Sequence, residues 1–289
     1  MVEVNYWKKI KEKDLKIKPE IKDSLKIIKT NVKELFIKAL EKRWPRERFV
    51  ILFSGGIDSG FIAYLSKKHK KNFICYTAVL DEKSMDTAKD LIYAKKAAKK
   101  YNLKLKIIKI KLNKAEKIIP KIIKITGKND VVTVGVGLPV YFCLEQAKKD
   151  KIKTVFTGLG SEEIFAGYER HRLSSNINKE CQRGLLKIYN RDLIRDSKLA
   201  EYFKVNLRCP FLDKDLVNYS LRIPEKYKIV KNQSKVVLRE VAKDLKYDKE
   251  LSERKKLAAQ YGSKFDKAIK KLANKHGFKS KDEYLKSIC

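Results

Sequence analysis

The chain has 289 residues and is 43% hydrophobic, with 12 Gly and 6 Pro, which excludes a disordered protein and suits one large domain or a core with a smaller appendage. Sixty-nine Lys and Arg against 35 Asp and Glu give a formal net charge of +34, a field that draws polyanions such as nucleotides and nucleic acids. The basic residues run along the whole sequence with no Arg-rich or aromatic-interleaved patch, so charge alone defines no nucleic-acid site.

Residues 1–20 alternate charged and apolar types without a clear period and read as an arm. From Ile21 to about Trp44, Leu25, Ile28, Val32, Leu35, Phe36 and Leu40 recur at helical spacing, and Pro45 stops that helix. Phe49-Val50-Ile51-Leu52-Phe53 is a continuous apolar run of strand length, the pattern of a buried parallel strand. A glycine-containing turn follows, and Phe61-Ile62-Ala63-Tyr64-Leu65 opens a helix. Phe73 to Leu80 predicts a second strand, Asp86 to Tyr101 a helix with Ala97 and Ala98 inward, and Leu105 to Ile110 a third strand. Strand, helix, strand, helix, strand within about 60 residues indicates right-handed crossovers and a parallel sheet. Val140–Lys149 predicts a further helix and Thr154-Val155-Phe156 a short buried strand. Beyond Gly167 the pattern is helical, with loops at Cys209-Pro210 and Ile223-Pro224. The expected organisation is an N-terminal arm and helix over 1–45, then an α/β domain over 46–289, its sheet core about 46–170 and its helical part about 171–289.

The cysteines Cys75, Cys143, Cys181, Cys209 and Cys289 form no CxxC pair, which removes the zinc-ribbon spacing and suggests reduced thiols. The opening MVEVNYWKKIKEKD lacks the apolar stretch of a signal peptide, and no run of ~18 apolar residues is present. A cytoplasmic protein without a membrane span is expected.

The turn Ser54-Gly55-Gly56-Ile57-Asp58-Ser59 carries the chemistry. A buried strand delivers it to the carboxyl edge of the sheet, where open α/β folds bind ligands. Two glycines let backbone amides approach phosphate oxygens, and the helix that follows adds its own unpaired amides and dipole. Ser54 and Ser59 add hydroxyls. Asp58 would repel a bare phosphate, so its presence suggests Mg²⁺ between carboxylate and phosphate. A Walker loop needs a Gly-Lys-Ser/Thr ending, which is absent here. The plain alternative is a tight turn built from small residues.

A second glycine-bearing segment, Thr157-Gly158-Leu159-Gly160-Ser161-Glu162-Glu163-Ile164-Phe165-Ala166-Gly167-Tyr168, follows the short strand at Thr154. Its paired carboxylates suit a second metal contact, or the first turn of a helix that begins at Ser161. Further on come Arg208-Cys209-Pro210-Phe211-Leu212-Asp213, then Lys235 with Leu238-Arg239-Glu240, then Arg254-Lys255-Lys256. Each is bland alone: a proline turn, a helix face, a basic run.

The string Ser54–Ser59 resembles the PP-loop of the N-type ATP pyrophosphatases, which cleave ATP between the α and β phosphates. The motifs taken in order resemble the synthetase domain of asparagine synthetases and the related β-lactam synthetases, over about residues 30–265. Gly-Tyr-Glu-Arg-His-Arg at 167–172 and Ala-Ala-Gln-Tyr-Gly-Ser at 258–263 are similar to the asparagine synthetase domain-containing branch.

The resemblance implies a fold of the adenine nucleotide alpha hydrolase (PP-loop) type. It also implies a reaction in which a carboxylate takes AMP from ATP, releasing pyrophosphate, before an amine displaces AMP. By position, Ser54, Gly55, Gly56, Asp58 and Ser59 would hold pyrophosphate. Backbone at Leu52, Ala78, Thr157 and Gly158 would hold adenosine, and Asp58 and Glu162 would bind Mg²⁺. Lys235 and Lys256 match the family's active-site lysines, Arg254 would contact phosphate, and Tyr168 would line the acceptor pocket.

Two departures stand out. Leu159 replaces a family glutamate that handles the amine or amino acid, a part Glu163 would fill if the loop shifts. A glutaminase domain with an N-terminal cysteine is expected to be absent. The expected partners are therefore ATP, a small carboxylate and an amine, with ammonia from solution or a separate glutaminase subunit. The alternatives are a tRNA-modifying PP-loop enzyme, with tRNA as partner, and a nucleotide-binding regulator without turnover.

Overall fold

In the computed structural model, residues 2–82, 85–255 and 257–288 are described. Residues 2–46 form two helices, α1 (Val2–Lys8) and α2 (Leu25–Glu41). The expected arm thus begins as a helix. Burial of Trp7 and of Leu15 just beyond it anchors the segment where periodicity gave no cue. α2 starts later than expected because Ser24 caps it, accepting the Ile27 N–H.

Next come β1 (Phe49–Leu52), α3 (Ile57–Lys68), β2 (Phe73–Leu80), α4 (Lys89–Tyr101), β3 (Leu105–Ile110), α5 (Leu112–Thr126), α6 (Val131–Lys149) and β4 (Thr154–Phe156). They are followed by α7 (Ser161–Ile164), α8 (Glu169–Arg172), α9 (Ile177–Ile188), a π-helical segment Tyr189–Leu193, α10 (Ile194–Tyr202) and β5 (Asn206–Arg208). After a 3-10 turn at Pro210–Leu212, the chain forms α11 (Lys214–Leu221), β6 (Ile229–Val230), β7 (Gln233–Ser234), α12 (Val236–Asp244) and α13 (Lys249–Glu253). It ends with α14 (Ala259–Gly262), α15 (Phe265–Lys275) and α16 (Lys281–Lys286).

The sheet has the order β3-β2-β1-β4-β5. β1 pairs in parallel with β2, Phe49 opposite Phe73, and with β4, Val50 opposite Val155. β2 pairs in parallel with β3, Cys75 opposite Leu105. β5 closes the far edge, Asn206 N–H donating to Lys153 at 2.7 Å. Progression runs outward from β1 to β3, then reverses to β4 on the other side. The reversal falls between β1 and β4, the position at which open parallel sheets bind ligands.

The chain divides into two compact units. One, the sheet unit, contains Glu47–Phe156, Ile194–Leu207 and Lys255–Cys289. The other, the helical unit, contains Met1–Arg46, Thr157–Leu193 and Arg208–Arg254. In the sheet unit, Tyr76, Ala78 and Leu80 of β2 meet Ile118, Ile119 and Ile122 of α5 and Val134, Leu138 and Phe142 of α6. On the opposite face Val79 meets Leu91 of α4.

α6 begins nine residues before the expected Val140, with Asp130 accepting the Thr133 N–H at 2.8 Å. Gly135, Gly137 and Pro139 read as helix breakers, but the two glycines are where neighbours press in: a Cβ would lie 3.1 Å from Gln260 and from Ile122 respectively. α5, β5 and the small β6–β7 hairpin are likewise elements the sequence pattern does not predict. In the helical unit, Phe36 of α2 stacks on Phe211 at 4.4 Å between ring centroids. The buried Arg43 pairs with Asp213 at 2.9 Å. No helix among the described residues is long and apolar enough to cross a membrane.

Candidate functional site: a glycine loop and a buried lysine–glutamate pair

β1 ends at the Ser54–Ser59 turn, and α3 opens inside that turn at Ile57, four residues earlier than expected. Gly60 N–H donates to the Gly56 carbonyl at 2.8 Å. The amides of Ile57, Asp58 and Ser59 therefore precede the first intrahelical bond, with the positive end of the dipole around them. The loop is braced from within. Ser54 N–H donates to Ser59 Oγ at 3.2 Å, and Gly56 N–H to Ser54 Oγ at 3.3 Å. From the next strand, Thr77 Oγ1 donates to the Phe53 carbonyl at 2.5 Å.

Gly55 adopts φ +70°, and a Cβ there would lie 2.5 Å from the backbone nitrogen of Ala94 in α4. Only glycine satisfies both constraints. Asp58 and Ser59 are buried in the first turn of α3. Leu52 and Ala78 sit on the adjacent strands β1 and β2, whose register sets Leu52 opposite Tyr76. Seven of the expected residues (Leu52, Ser54, Gly55, Gly56, Asp58, Ser59 and Ala78) therefore gather at one end of one strand pair.

In the helical unit, Thr157 and Gly158 lead into α7, with Leu159 N–H donating to Thr157 Oγ1 at 3.4 Å. Gly160 turns at φ +99° against Leu212, whose Cγ would be 2.7 Å from a Cβ. α7 then buries Ser161, Glu162 and Glu163 together. Lys235 enters from the start of α12 in a left-handed conformation, φ 59°, which costs a non-glycine residue of order 1–3 kcal/mol. Its Nζ lies 2.8 Å from Glu162 Oε1 and donates to Ser161 Oγ at 3.1 Å. Gly167 makes room for the pair, since any Cβ there would overlap the Glu162 carboxylate and the Lys235 stem.

Glu163 is fully buried. Desolvation pushes its carboxyl above the usual range, opposed by Arg191, whose Nη2 lies 2.5 Å from Oε1. Arg191 belongs to the π-helical segment, an irregularity frequent at functional sites. The Tyr168 ring has the Arg170 guanidinium 4.1 Å from its centroid and that of Arg191 at 5.4 Å. Burial, then the charges of Glu163 and Glu162, push its phenol well above normal.

His171 accepts the Tyr168 N–H on Nδ1 at 3.1 Å. Burial, and then the nearby cations Arg170, Lys228, Arg191 and Lys235, lower its pKa to about 3, so the ring is neutral with its proton on Nε2. Arg170 and His171 lie within the Gly-Tyr-Glu-Arg-His-Arg string. Arg191 carries no local sequence signal, because its role arises from a contact with Glu163 28 residues away.

The helical unit thus brings Thr157, Gly158, Glu162, Glu163 and Lys235 into one neighbourhood. Lys256 lies outside the described residues. Asp58 belongs to the sheet unit and Glu162 to the helical unit. Among the described residues, no group of three or more His, Cys, Asp or Glu side chains could hold a metal ion. Cys75, Cys143, Cys181 and Cys209 are free and buried, and Cys289 lies outside the described residues. Burial pushes the Cys143 thiol up to about 12.

A parallel sheet with a Ser-Gly-Gly-Ile-Asp-Ser turn leading from its central strand into a helix defines an α/β protein of the PP-loop, adenine nucleotide alpha hydrolase type. The family described as Asparagine synthase matches residues 31–178 and 171–286, and the chain belongs to that family. A Methanocaldococcus jannaschii protein provisionally named asparagine synthetase (glutamine-hydrolyzing) 1 is 32% identical over 269 residues, covering 80% of this chain and 48% of that protein. The Homo sapiens asparagine synthetase (glutamine-hydrolyzing) is 28% identical over 227 residues, covering 76% of this chain and 40% of that protein. The chain thus spans about half the length of these relatives or less. Among solved structures, the U34-tRNA thiolase NcsA of Methanococcus maripaludis is similar at TM-score 0.43 and 14% identity, covering 90% of this chain and 77% of that one. Membership in the family rests on the sequence match.

Proposed function

We propose that the chain is an ATP-dependent amide ligase of the asparagine-synthetase type. A substrate carboxylate attacks the α-phosphorus of ATP, forming an acyl-adenylate and releasing pyrophosphate. An amine then attacks the acyl carbon and AMP departs. The observation that carries this reading is the braced Ser54–Ser59 loop at the switch point of the sheet, in a chain that belongs to the asparagine synthase family.

In this reading the loop amides and the α3 N-terminus bind the pyrophosphate portion, and backbone at Leu52 and Ala78 serves the adenosine. Mg²⁺, held by Asp58, would offset negative charge on the phosphates. Lys235 and Lys256 stabilise charge that builds up during adenylation, where a preorganised cation acts with little reorganisation. Lys235 is already oriented by Glu162 and Ser161.

Leu159 can neither accept a proton nor pair with an ammonium group, so the acceptor is handled by other groups. Glu163, buried and tied to Arg191, is suited to a positioning part: it holds Arg191 beside Tyr168. The acceptor is ammonia, from solution or from a glutaminase subunit, or another amine, and the setting is cytoplasmic.

The test is release of AMP and pyrophosphate across a panel of small carboxylates and amines, with carboxylate-dependent exchange of labelled pyrophosphate into ATP as the half-reaction. Exchange driven by a carboxylate alone supports the ligase. ATP binding without exchange for any carboxylate overturns it.

A further inference from the structure

Folding concentrates the positive charge. Residues 89–128 contain fourteen lysines, no arginine and two acidic residues, Asp90 and Glu116, and Asp90 is buried. This stretch builds α4, β3 and α5 of the sheet unit. β3 ends the strand order and is an edge strand. α4 covers one face beside it through Leu91 and Ile107, and α5 the other through Ile118 and Ile122 with Ile108 and Ile110. The lysines of all three elements therefore wrap one edge of the unit.

Some are matched: Lys106 pairs with Asp150 at 2.7 Å, Lys111 with Asp81 at 3.3 Å and Lys114 with Glu145 at 3.6 Å. Lys95, Lys99, Lys104, Lys117, Lys121 and Lys124 are exposed and have no acidic partner among the described residues. Lysines on an edge strand discourage pairing with other chains. That accounts for Lys106 and Lys109 on β3 and Lys104 just before it, but not for the rows on α4 and α5.

We propose that the β3 edge, with α4 and α5, binds nucleic acid through its phosphate backbone. Lysine is a compact, mobile point charge that neutralises phosphates, whereas sequence readout favours the fork of arginine, which is missing from this stretch. An anionic bilayer would need apolar anchors beside the lysines. Ile92 is the exposed large hydrophobic in the stretch, among the described residues. The proposal stands apart from the ligase reading, because none of these lysines belongs to the loop or to the Glu162–Lys235 pair.

The experiment measures anisotropy of labelled duplex RNA, single-stranded RNA and duplex DNA with the full chain at 50–300 mM salt. It uses Lys95→Glu/Lys99→Glu/Lys121→Glu and a control of equal charge in the helical unit, Lys226→Glu/Lys231→Glu/Lys246→Glu. The edge variant should bind at least tenfold more weakly at 0.1 M salt. It should also flatten the plot of log affinity against log salt by about two to three, the equivalent of three lost phosphate contacts. The control should stay within threefold of wild type. Equal losses in both variants, no salt-steep binding by wild type, or preference for phosphatidylserine vesicles over every nucleic acid would overturn the proposal. Pyrophosphate exchange with small substrates is read in parallel and should be unchanged in both variants, so the two readings fail separately.

Discussion

Lys235 Nζ lies 2.8 Å from Glu162 Oε1, and both side chains are more than nine-tenths buried. Removing one partner strands the other charge in the interior, at a cost of about 3–5 kcal/mol. Lys235→Met should lower unfolding free energy by about that amount and abolish pyrophosphate exchange. Adding Glu162→Gln should recover part of the stability but none of the exchange. Urea unfolding of both singles and the double variant checks this; strictly additive effects would show that the two charges are not coupled.

Gly55→Ala meets two obstacles, the left-handed backbone and the Tyr93–Ala94 backbone behind it. The first costs roughly 1–2 kcal/mol and overpacking about 1–3 kcal/mol more. The variant should be destabilised by about 2–5 kcal/mol and lose ATP affinity. Gly277, at φ +77° with open space around its Cβ position, is the control: Gly277→Ala should cost only about 1 kcal/mol. Thermal melts of the pair separate backbone strain from close packing.

His171 makes stability depend on acid. Its folded pKa of about 3 lies below the ordinary 6.5, so the unfolded chain takes up the proton first and stability falls as pH drops from about 6.5 towards 3. Between pH 7.5 and 5 this group should remove about 2 kcal/mol. His171→Asn should be less stable than wild type at pH 7.5, yet lose correspondingly less on acidification. Urea unfolding at the two pH values measures the difference. Equal acid losses for the two proteins would show that His171 is not the source.

Asp58→Asn preserves shape in the first turn of α3 while removing a carboxylate charge. It should abolish Mg²⁺-dependent release of AMP and pyrophosphate and leave the unfolding midpoint within a few degrees. Far-UV circular dichroism and a product assay on the same sample are sufficient.

Lys256→Ala should slow adenylation by about two to three orders of magnitude, the effect of losing a transition-state charge contact worth roughly 3–4 kcal/mol. Single-turnover pyrophosphate release reads this step directly. Wild-type rates would detach Lys256 from the chemistry.

The sequence and the fold agree best where the signal is local. The strands Phe73–Leu80 and Thr154–Phe156 match their apolar runs residue for residue, because a strand buried on both faces is apolar throughout; Leu105–Ile110 keeps its expected bounds although Lys106 and Lys109 interrupt its apolar residues. The first half of α6 is hidden because Gly135 and Gly137 answer to packing against Gln260 and Ile122 rather than to local propensity, and because Pro139 lies inside the helix. β5 is hidden because Asn206–Arg208 is half-exposed at the sheet edge and needs no apolar run.

The site divides in the same way. The Ser54–Ser59 loop is a contiguous string whose glycines and serines state their geometry. Lys235 and Glu162 are visible as motif residues, but their ion pair is not, since it depends on how α12 and α7 meet. Arg191 could not be read at all: it sits in an ordinary polar stretch and gains meaning only through a glutamate buried in α7.

Both units are assembled from separated stretches of chain, with crossings at 46/47, 156/157, 193/194, 207/208 and 254/255. A cut anywhere between 47 and 254 therefore leaves parts of both units on each fragment, so neither unit can be obtained by simple truncation. The same threading matters during synthesis. The helical unit waits for residues 208–254, and the sheet unit for α15 and α16 after that. Until then the nascent chain carries the apolar faces of two incomplete cores. Such half-built species are the ones most prone to aggregate, so the growing polypeptide, more than the finished protein, is where this architecture is vulnerable.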